Sequence, residues 1–269
     1  MRTIGIMGVG FVGGAVSRYF KGDARFTVVE YDPPKGIGVV ADLERVDVAF
    51  VCVPTPYGPD GFDDSFVRAA VAVVPGSKVV VVKSTVLPGT TDYLQEKFPQ
   101  HTLLFNPEFL RERCAYQDFV EPDRQIVGCG SGQDAAARDV LAILPRAPFT
   151  SVATRRQAEF VKYFSNCFLS MRITFANQIF DLCEAMGVSY NEVKRMAEAD
   201  PRVGPGYLDV DTDGYRGYGG TCFPKDMRAL VELGRMQGVP QRVLEACEGV
   251  NNVLLHAGGR KQWLPPETK

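Results

Sequence analysis

The 269-residue sequence is 45% hydrophobic and 23% charged, a balance that suits one large globular domain or two modest ones. A net charge of −2 and an isoelectric point near 5.8 leave no basic footprint for nucleic acid or an anionic membrane. No apolar run is long enough to span a bilayer, and the N-terminus lacks a signal-peptide layout. Seven cysteines without framework spacing fit a reducing, cytoplasmic setting, and two histidines with no CxxC predict no metal site.

Residues 2–7 read as a short buried strand that runs straight into Gly8-Val9-Gly10-Phe11-Val12-Gly13. Ala15, Val16, Tyr19 and Phe20 then recur at helical spacing. Strand, GxGxxG, helix is the context in which this glycine pattern means dinucleotide binding. Gly8 permits the tight turn, Gly10 lets backbone approach a pyrophosphate, and Gly13 allows close helix–strand packing, with Phe11 and Val12 on the same loop. Residues 26–31 form a second strand. Asp32, just beyond it, can accept from a ribose 2′-hydroxyl, which favours NAD over NADP; Glu30 is the other candidate.

A short link, 33–45, with at most a turn or two of helix, leads to a strand over 46–53 that ends in Pro54-Thr55-Pro56. After the loop 58–61, Asp64 or Ser65 caps a helix through residue 74. A strand over 78–83 ends in the polar loop 84–91, which contains Ser84 and Thr85, and a strand over 102–105 runs into Asn106-Pro107-Glu108-Phe109-Leu110-Arg111-Glu112. Polar residues thus recur past the ends of successive strands, the edge at which doubly wound sheets bind ligands, so Thr85, Asn106, Glu108 and Glu112 converge on the nicotinamide end of the cofactor. Taken singly, each also suits a helix cap or a solvated loop. Strands over 125–129 and 149–152, with a helix over 133–144 between them, complete an α/β, Rossmann-like, mostly parallel sheet in residues 1–153.

From Thr154 the pattern changes to long helices. Thr154 and Gln157 have capping-box spacing, and Phe160, Phe164, Phe168, Met171, Phe175, Leu182 and Met186 recur along a helix of about thirty residues, roughly 45 Å long. That is long enough to link domains and to form a dimer face. Glu159, Lys162 and Asn166 share one side of it; on periodicity alone that side reads as a solvated, salt-bridged face. A helix over 190–199, a loop over 200–207 and helices over 225–236 and 241–255 make 154–269 an all-helical domain, with a frayed tail after Gly258.

Between them lies Gly217-Tyr218-Gly219-Gly220-Thr221-Cys222-Phe223-Pro224-Lys225-Asp226. Cys222 falls at or just before a helix N-terminus, with Lys225 close by; both favour thiolate, which makes Cys222 a candidate nucleophile. An isolated cysteine on such a loop is otherwise a small buried side chain.

The glycine turn, Val53-Pro54-Thr55-Pro56, Ser84-Thr85-Val86, the Asn106–Glu112 segment, Lys162 with Asn166, Asp200-Pro201-Arg202 and the Cys222 segment occur in one order. Together they resemble the UDP-glucose/GDP-mannose dehydrogenase family over nearly the whole chain, nearest its UDP-glucose 6-dehydrogenase branch. The resemblance implies oxidation of a nucleotide sugar's C6 alcohol to a carboxylate, consuming two NAD. Cys222 then matches the nucleophile, Lys162 and Asn166 the oxyanion stabilisers, Asp226 and Thr85 the pair that holds a water, and Glu108 the group linked to thioester hydrolysis. Lys225, Ser84, Pro54 and Thr55 fall on the cofactor side, and Glu112 near the sugar or the cofactor. Phe109, Leu110, Arg111, Tyr207 and Gly219 fall on the substrate side, and Arg202 matches an arginine that reaches the substrate, often across the dimer.

The resemblance also implies a homodimer through the long helix. The family's third, carboxy-terminal nucleotide-gripping domain has no counterpart in these residues, so a separate partner is one expected source of it. The 33–45 link is abbreviated, and the 209–215 loop is longer and more acidic than the family's. A two-electron β-hydroxyacid-type dehydrogenase and a non-catalytic NAD-binding remnant are the alternatives.

Overall fold

The computed structural model describes residues 1–211 and 214–257. Its strands are β1 (Arg2–Met7), β2 (Phe26–Tyr31), β3 (Val48–Val51), the hairpin pair β4 (Tyr57–Gly58) and β5 (Gly61–Phe62), β6 (Val79–Val82), β7 (Thr102–Phe105), β8 (Arg124–Cys129) and β9 (Phe149–Thr154). The helices are α1 (Phe11–Lys21), α2 (Ser65–Ala72), α3 (Thr90–Lys97), α4 (Ala115–Val120), α5 (Asp134–Ile143), α6 (Arg155–Met186), α7 (Tyr190–Glu198), α8 (Phe223–Met236) and α9 (Arg242–Ala257). The chain divides into two compact units. The first comprises Met1–Pro56 and Phe62–Lys162; the second comprises Tyr57–Gly61 and the chain from Tyr163 on.

In the first unit seven strands form one sheet in the order β2-β1-β3-β6-β7-β8-β9. Neighbours from β2 through β7 are parallel, β8 is antiparallel to β7, and β9 is parallel to β8. The sheet is therefore mostly parallel and doubly wound, as its sequence implies. Successive side chains point to opposite faces, so Val80, Val82, Leu103 and Phe105 pack with α2, α3 and the start of α6, while Val81 and Leu104 pack with α1, α4 and α5. Covering both faces is what turns these strands into near-continuous apolar runs.

The predicted elements differ in detail. The 46–53 strand is confined to Val48–Val51, although the Cys52 N–H still donates to the Met7 carbonyl at 2.7 Å. The 33–45 link holds two short 3-10 helices, Pro33–Lys35 and Val40–Arg45. Helices α3 and α4 occupy stretches whose sequences show little periodicity: α3 buries only Thr91 and Leu94, and α4 only Ala115 and Phe119.

In the second unit α6 beyond Lys162, α8 and α9 enclose a core of Cys167, Tyr218, Met227, Val231 and Leu244, and α7 closes a smaller one around Ala176, Cys183, Tyr190 and Leu208. The unit boundary lies inside α6 rather than at Thr154, because Arg155, Ala158, Glu159 and Lys162 are buried in the first unit. Among the described residues no helix is long and apolar enough to cross a membrane, and no group of three His, Cys, Asp or Glu is placed to hold a metal. The tail after residue 257 lies outside the described residues.

Candidate cofactor and catalytic site

The glycine turn has the geometry its sequence requires. Gly8 has φ +87, and a Cβ there would meet the Cys52 carbonyl oxygen at 2.8 Å. A Cβ on Gly13 would lie 1.9 Å from the Gly8 carbonyl oxygen, so α1 packs onto the turn only because that position is glycine. At Gly10, the residue preceding α1, an added Cβ would meet nothing within 4 Å. This open space at an uncapped helix N-terminus suits a pyrophosphate. Phe11 also lines an open groove of about 640 Å³ between α1 and the Glu112–Gln117 stretch.

Asp32 is buried beside the turn, where its carboxylate accepts the Val9 N–H at 2.8 Å; Lys35 donates to the Val9 carbonyl at 2.7 Å. Glu30 instead accepts from Ser17 at 2.5 Å and Lys21 at 2.7 Å along α1, which leaves Asp32 as the acid at the turn. Burial opposes ionisation of Glu30, but those two donors hold its pKa below the ordinary value. The residues present therefore fit a dinucleotide.

At the strand ends, Ser84 donates to the Val53 carbonyl at 2.7 Å, tying the loop after β6 to the loop after β3, and Thr55 and Thr85 are buried nearby while Pro54 is exposed. Asn106 is fully buried. Its amide nitrogen donates to the Ile126 carbonyl at 2.8 Å, and its oxygen accepts from Lys83 at 2.7 Å. Two residues on, Glu108 accepts the Leu110 N–H and pairs with Lys162 at 2.7 Å; Lys162 also donates to the Glu108 carbonyl at 2.8 Å. Burial penalises the Glu108 carboxylate, yet Lys162, the Leu110 N–H and Lys83 together hold its pKa below the ordinary value.

The α6 face expected to be solvated is in fact interior. Glu159 is 0% exposed and accepts from the Gly89 N–H, the Thr91 N–H and the Thr91 hydroxyl at 2.6–2.9 Å, capping α3 from outside. The partners that bury it lie 68 and 70 residues away in sequence, out of reach of any periodicity argument.

In the second unit Cys222 is the N-cap residue of α8, which starts at Phe223 with Pro224 in its first turn, slightly earlier than the sequence suggests. The segment before it is clamped by Asn251, whose side chain accepts the Tyr218 N–H at 2.7 Å and donates to the Tyr218 carbonyl at 2.9 Å. Gly217, with φ +85, is required there, since a Cβ would meet Asn251 Oδ1 at 2.4 Å. Asp226 is fully buried one turn into α8. It pairs with Lys225 at 2.5 Å and accepts from Asn166 at 2.6 Å, while its own N–H donates to the Cys222 carbonyl at 2.9 Å. Lys225, expected to act on the thiol, thus spends a strong contact on Asp226.

The other expected residues have the following surroundings. Arg202 is paired with Asp200 at 2.6 Å and its side chain is 90% exposed, apart from the buried groups of its unit. Arg111 turns to Asp118 at 2.7 Å. Phe109 and Leu110 pack against the two apolar cores of the first unit. Tyr207 lies 6.0 Å from the Phe223 ring, beside the start of α8, and Gly219 lies against the Tyr215 hydroxyl. In the acidic loop, Asp209 pairs with Lys194; Thr212 and Asp213 lie outside the described residues. Sequence reasoning passed over Lys83 and Asn251. Lys83 carried a signal, a lysine closing a strand of four valines; Asn251, inside a helix, carried none.

The first unit is thus a dinucleotide-binding α/β domain, followed by a helical unit that presents a cysteine at a helix N-terminus. Residues 38–143 match the NAD binding domain of the UDP-glucose/GDP-mannose dehydrogenase family, and residues 156–253 match its central domain. The chain belongs to that family. It is 40% identical over 232 residues to the UDP-glucose 6-dehydrogenase of Rhizobium meliloti (strain 1021), covering 80% of this chain and 52% of the relative. Against the UDP-glucose 6-dehydrogenase of Pseudomonas aeruginosa it is 37% identical over 78% of this chain and 49% of the relative. A solved UDP-glucose dehydrogenase from Pyrobaculum islandicum superposes with a TM-score of 0.84 at 30% identity, covering 94% of this chain and 68% of that one. The chain spans about half the length of the curated relatives it matches.

Proposed function

We propose that this chain carries the NAD-dependent oxidation of a nucleotide sugar's C6 alcohol to the uronic acid, of the UDP-glucose to UDP-glucuronate type, with Cys222 as nucleophile. The observation that carries the reading is Cys222 at the N-cap of α8, four residues before a buried Asp226 hydrogen-bonded to Asn166. The positive end of the helix favours thiolate at that position.

NAD, when bound at the glycine turn, supplies the hydride acceptor for both oxidations. The Cys222 sulfur adds to the carbonyl carbon of the intermediate aldehyde, giving a thiohemiacetal. Loss of hydride and the hydroxyl proton leaves a thioester, and water cleaves its C–S bond to release the carboxylate and restore the thiol. Lys162 and Asn166 serve the oxyanion as hydrogen-bond donors. By resemblance, Asp226 and Thr85 are each assigned to the water of proton transfer, and Glu108 to thioester hydrolysis as base. The Glu108–Lys162 pair suits that division of labour, since each group's charge sustains the other's.

The working form in this reading is a homodimer. Phe160, Phe164, Phe168, Phe175, Leu182 and Met186 are exposed along α6, with Phe164 and Phe168 stacked at 6.3 Å, and a second copy covers such a stripe without burying charge. The seven free cysteines suit a cytoplasmic location.

Cys222→Ser separates the two oxidations. The variant should lose uronic acid formation by at least about a thousandfold while keeping wild-type NAD affinity. Acid formation at the wild-type rate would exclude the thioester route. One NADH per substrate with no dependence on Cys222 would favour a two-electron β-hydroxyacid-type enzyme.

A further inference from the structure

Lys83 closes β6 immediately before Ser84 and Thr85, and it is only 3% exposed. Its ammonium donates to Asn106 Oδ1 at 2.7 Å and lies 5.5 Å from the centre of the Phe119 ring. Among the described residues no carboxylate is within ion-pair distance of it. The titratable groups that face it are the Cys52 thiol at the end of β3, Glu108 after β7 and Lys162 on α6. Burial pushes its pKa from 10.5 to about 8, and it pushes the Cys52 thiol up to about 12, so no thiolate neutralises it.

A buried, unpaired ammonium is costly, and an apolar side chain of similar length would fill the space with less loss of stability. Something other than stability accounts for its charge. Asn106 is held at three points: its N–H donates to the Val82 carbonyl, its side-chain nitrogen to Ile126 and Gln125, and its oxygen accepts from Lys83. That residue opens the turn that presents Glu108 to Lys162. A neutral donor could hold the Asn106 oxygen equally well. Only a cation also favours a carboxylate at Glu108 while opposing positive charge at Lys162.

We propose that Lys83 is a positioning residue, whose ammonium both locks the Asn106-Pro107-Glu108 turn and holds the Glu108 carboxylate in its ionised state against Lys162. The proposal rests on the reading of Glu108 and Lys162 as working groups of the dehydrogenase, and its test includes measurements that do not need turnover.

The test compares Lys83→Gln, which keeps a donor for Asn106 and removes the charge, with Lys83→Met, which removes both. Glutamate labelled with carbon-13 at the side-chain carboxyl reads the titration of Glu108 by NMR, the resonance being assigned by its loss in Glu108→Gln. Both variants should raise the Glu108 midpoint, by less than removal of the Lys162 cation does, since Lys162 has the larger hold on that carboxylate. Thermal unfolding gives a second arm. Because the folded-state pKa of Lys83 lies below its unfolded value of 10.5, its destabilising effect is complete below about pH 8 and vanishes as pH rises toward 10.5. Relative to the wild type, Lys83→Met should therefore fare best below about pH 8 and lose ground as pH rises toward 10.5, on top of a pH-independent cost for the unpaired Asn106 oxygen.

In turnover with UDP-glucose both variants should lose about tenfold or more in kcat, with KM for NAD unchanged. An unmoved Glu108 midpoint overturns the proposal, as does a melting difference between Lys83→Met and the wild type that stays the same from about pH 7 to pH 10.5, or a defect confined to NAD affinity. A wild-type protein that forms no NADH from any nucleotide sugar would overturn the proposed function instead, and the Glu108 titration would still decide the role of Lys83.

Discussion

Glu108 and Lys162 form an ion pair in which both side chains are almost wholly buried, and each is therefore held hostage by the other. Glu108→Gln leaves a lysine in the interior without its counter-charge, a loss on the order of 3–5 kcal/mol in urea unfolding. Lys162→Met removes the cation from the other side and should leave Glu108 titrating well above its present position, readable by the same carboxylate NMR. A loss below about 1 kcal/mol for Glu108→Gln would mean that water reaches the pair. At this scale the sequence was legible in part. Cys222, Asp226 and Asn166 were singled out because their neighbours in sequence carry the family's pattern, and the fold brings Asp226 and Asn166 together at 2.6 Å. Glu159 was misread as solvated because its donors, Gly89 and Thr91, reach it only after the sheet has closed. Arg202 was grouped with the site on resemblance, as an arginine that often reaches substrate across the dimer; within its own unit it binds Asp200 and faces solvent.

The glycine turn, as an element, separates binding from folding. Gly10→Ala adds a methyl group into open space, so thermal stability should change little while NAD affinity falls by about tenfold or more. Gly13→Ala forces a carbon to 1.9 Å from the Gly8 carbonyl oxygen and should destabilise the fold by about 3 kcal/mol or more. Equal effects of the two substitutions on stability would contradict the assignment of Gly10 to the phosphate side. The start of α6 offers a second check. Thr154 and Gln157 form the reciprocal capping pair their spacing predicts, at 3.0 and 3.3 Å, so Thr154→Ala should cost about 1 kcal/mol. Strands and long helices were legible because their apolar periods are strong. Helices α3 and α4 were not, since eight- and six-residue helices that bury two side chains each leave almost no period to read.

On the scale of the whole molecule, the α6 stripe and the two oxidations are the claims with the widest reach. Sedimentation should show a dimer that Phe164→Asp converts to monomer, because a carboxylate placed in an apolar interface loses its hydration without gaining a partner. A monomeric wild-type protein at micromolar concentration would remove the dimer from the account. The switch from alternating strands and helices to helices alone was legible around Thr154. The division into units was not, because α6 continues unbroken through it and only the burial of Glu159 and Lys162 shows where the first core ends. The central claim is a four-electron oxidation through a cysteine thioester, and the most direct measurement is the NADH formed per UDP-glucose consumed. The account predicts two NADH for each uronic acid released, with no free aldehyde accumulating; a stoichiometry of one would contradict it.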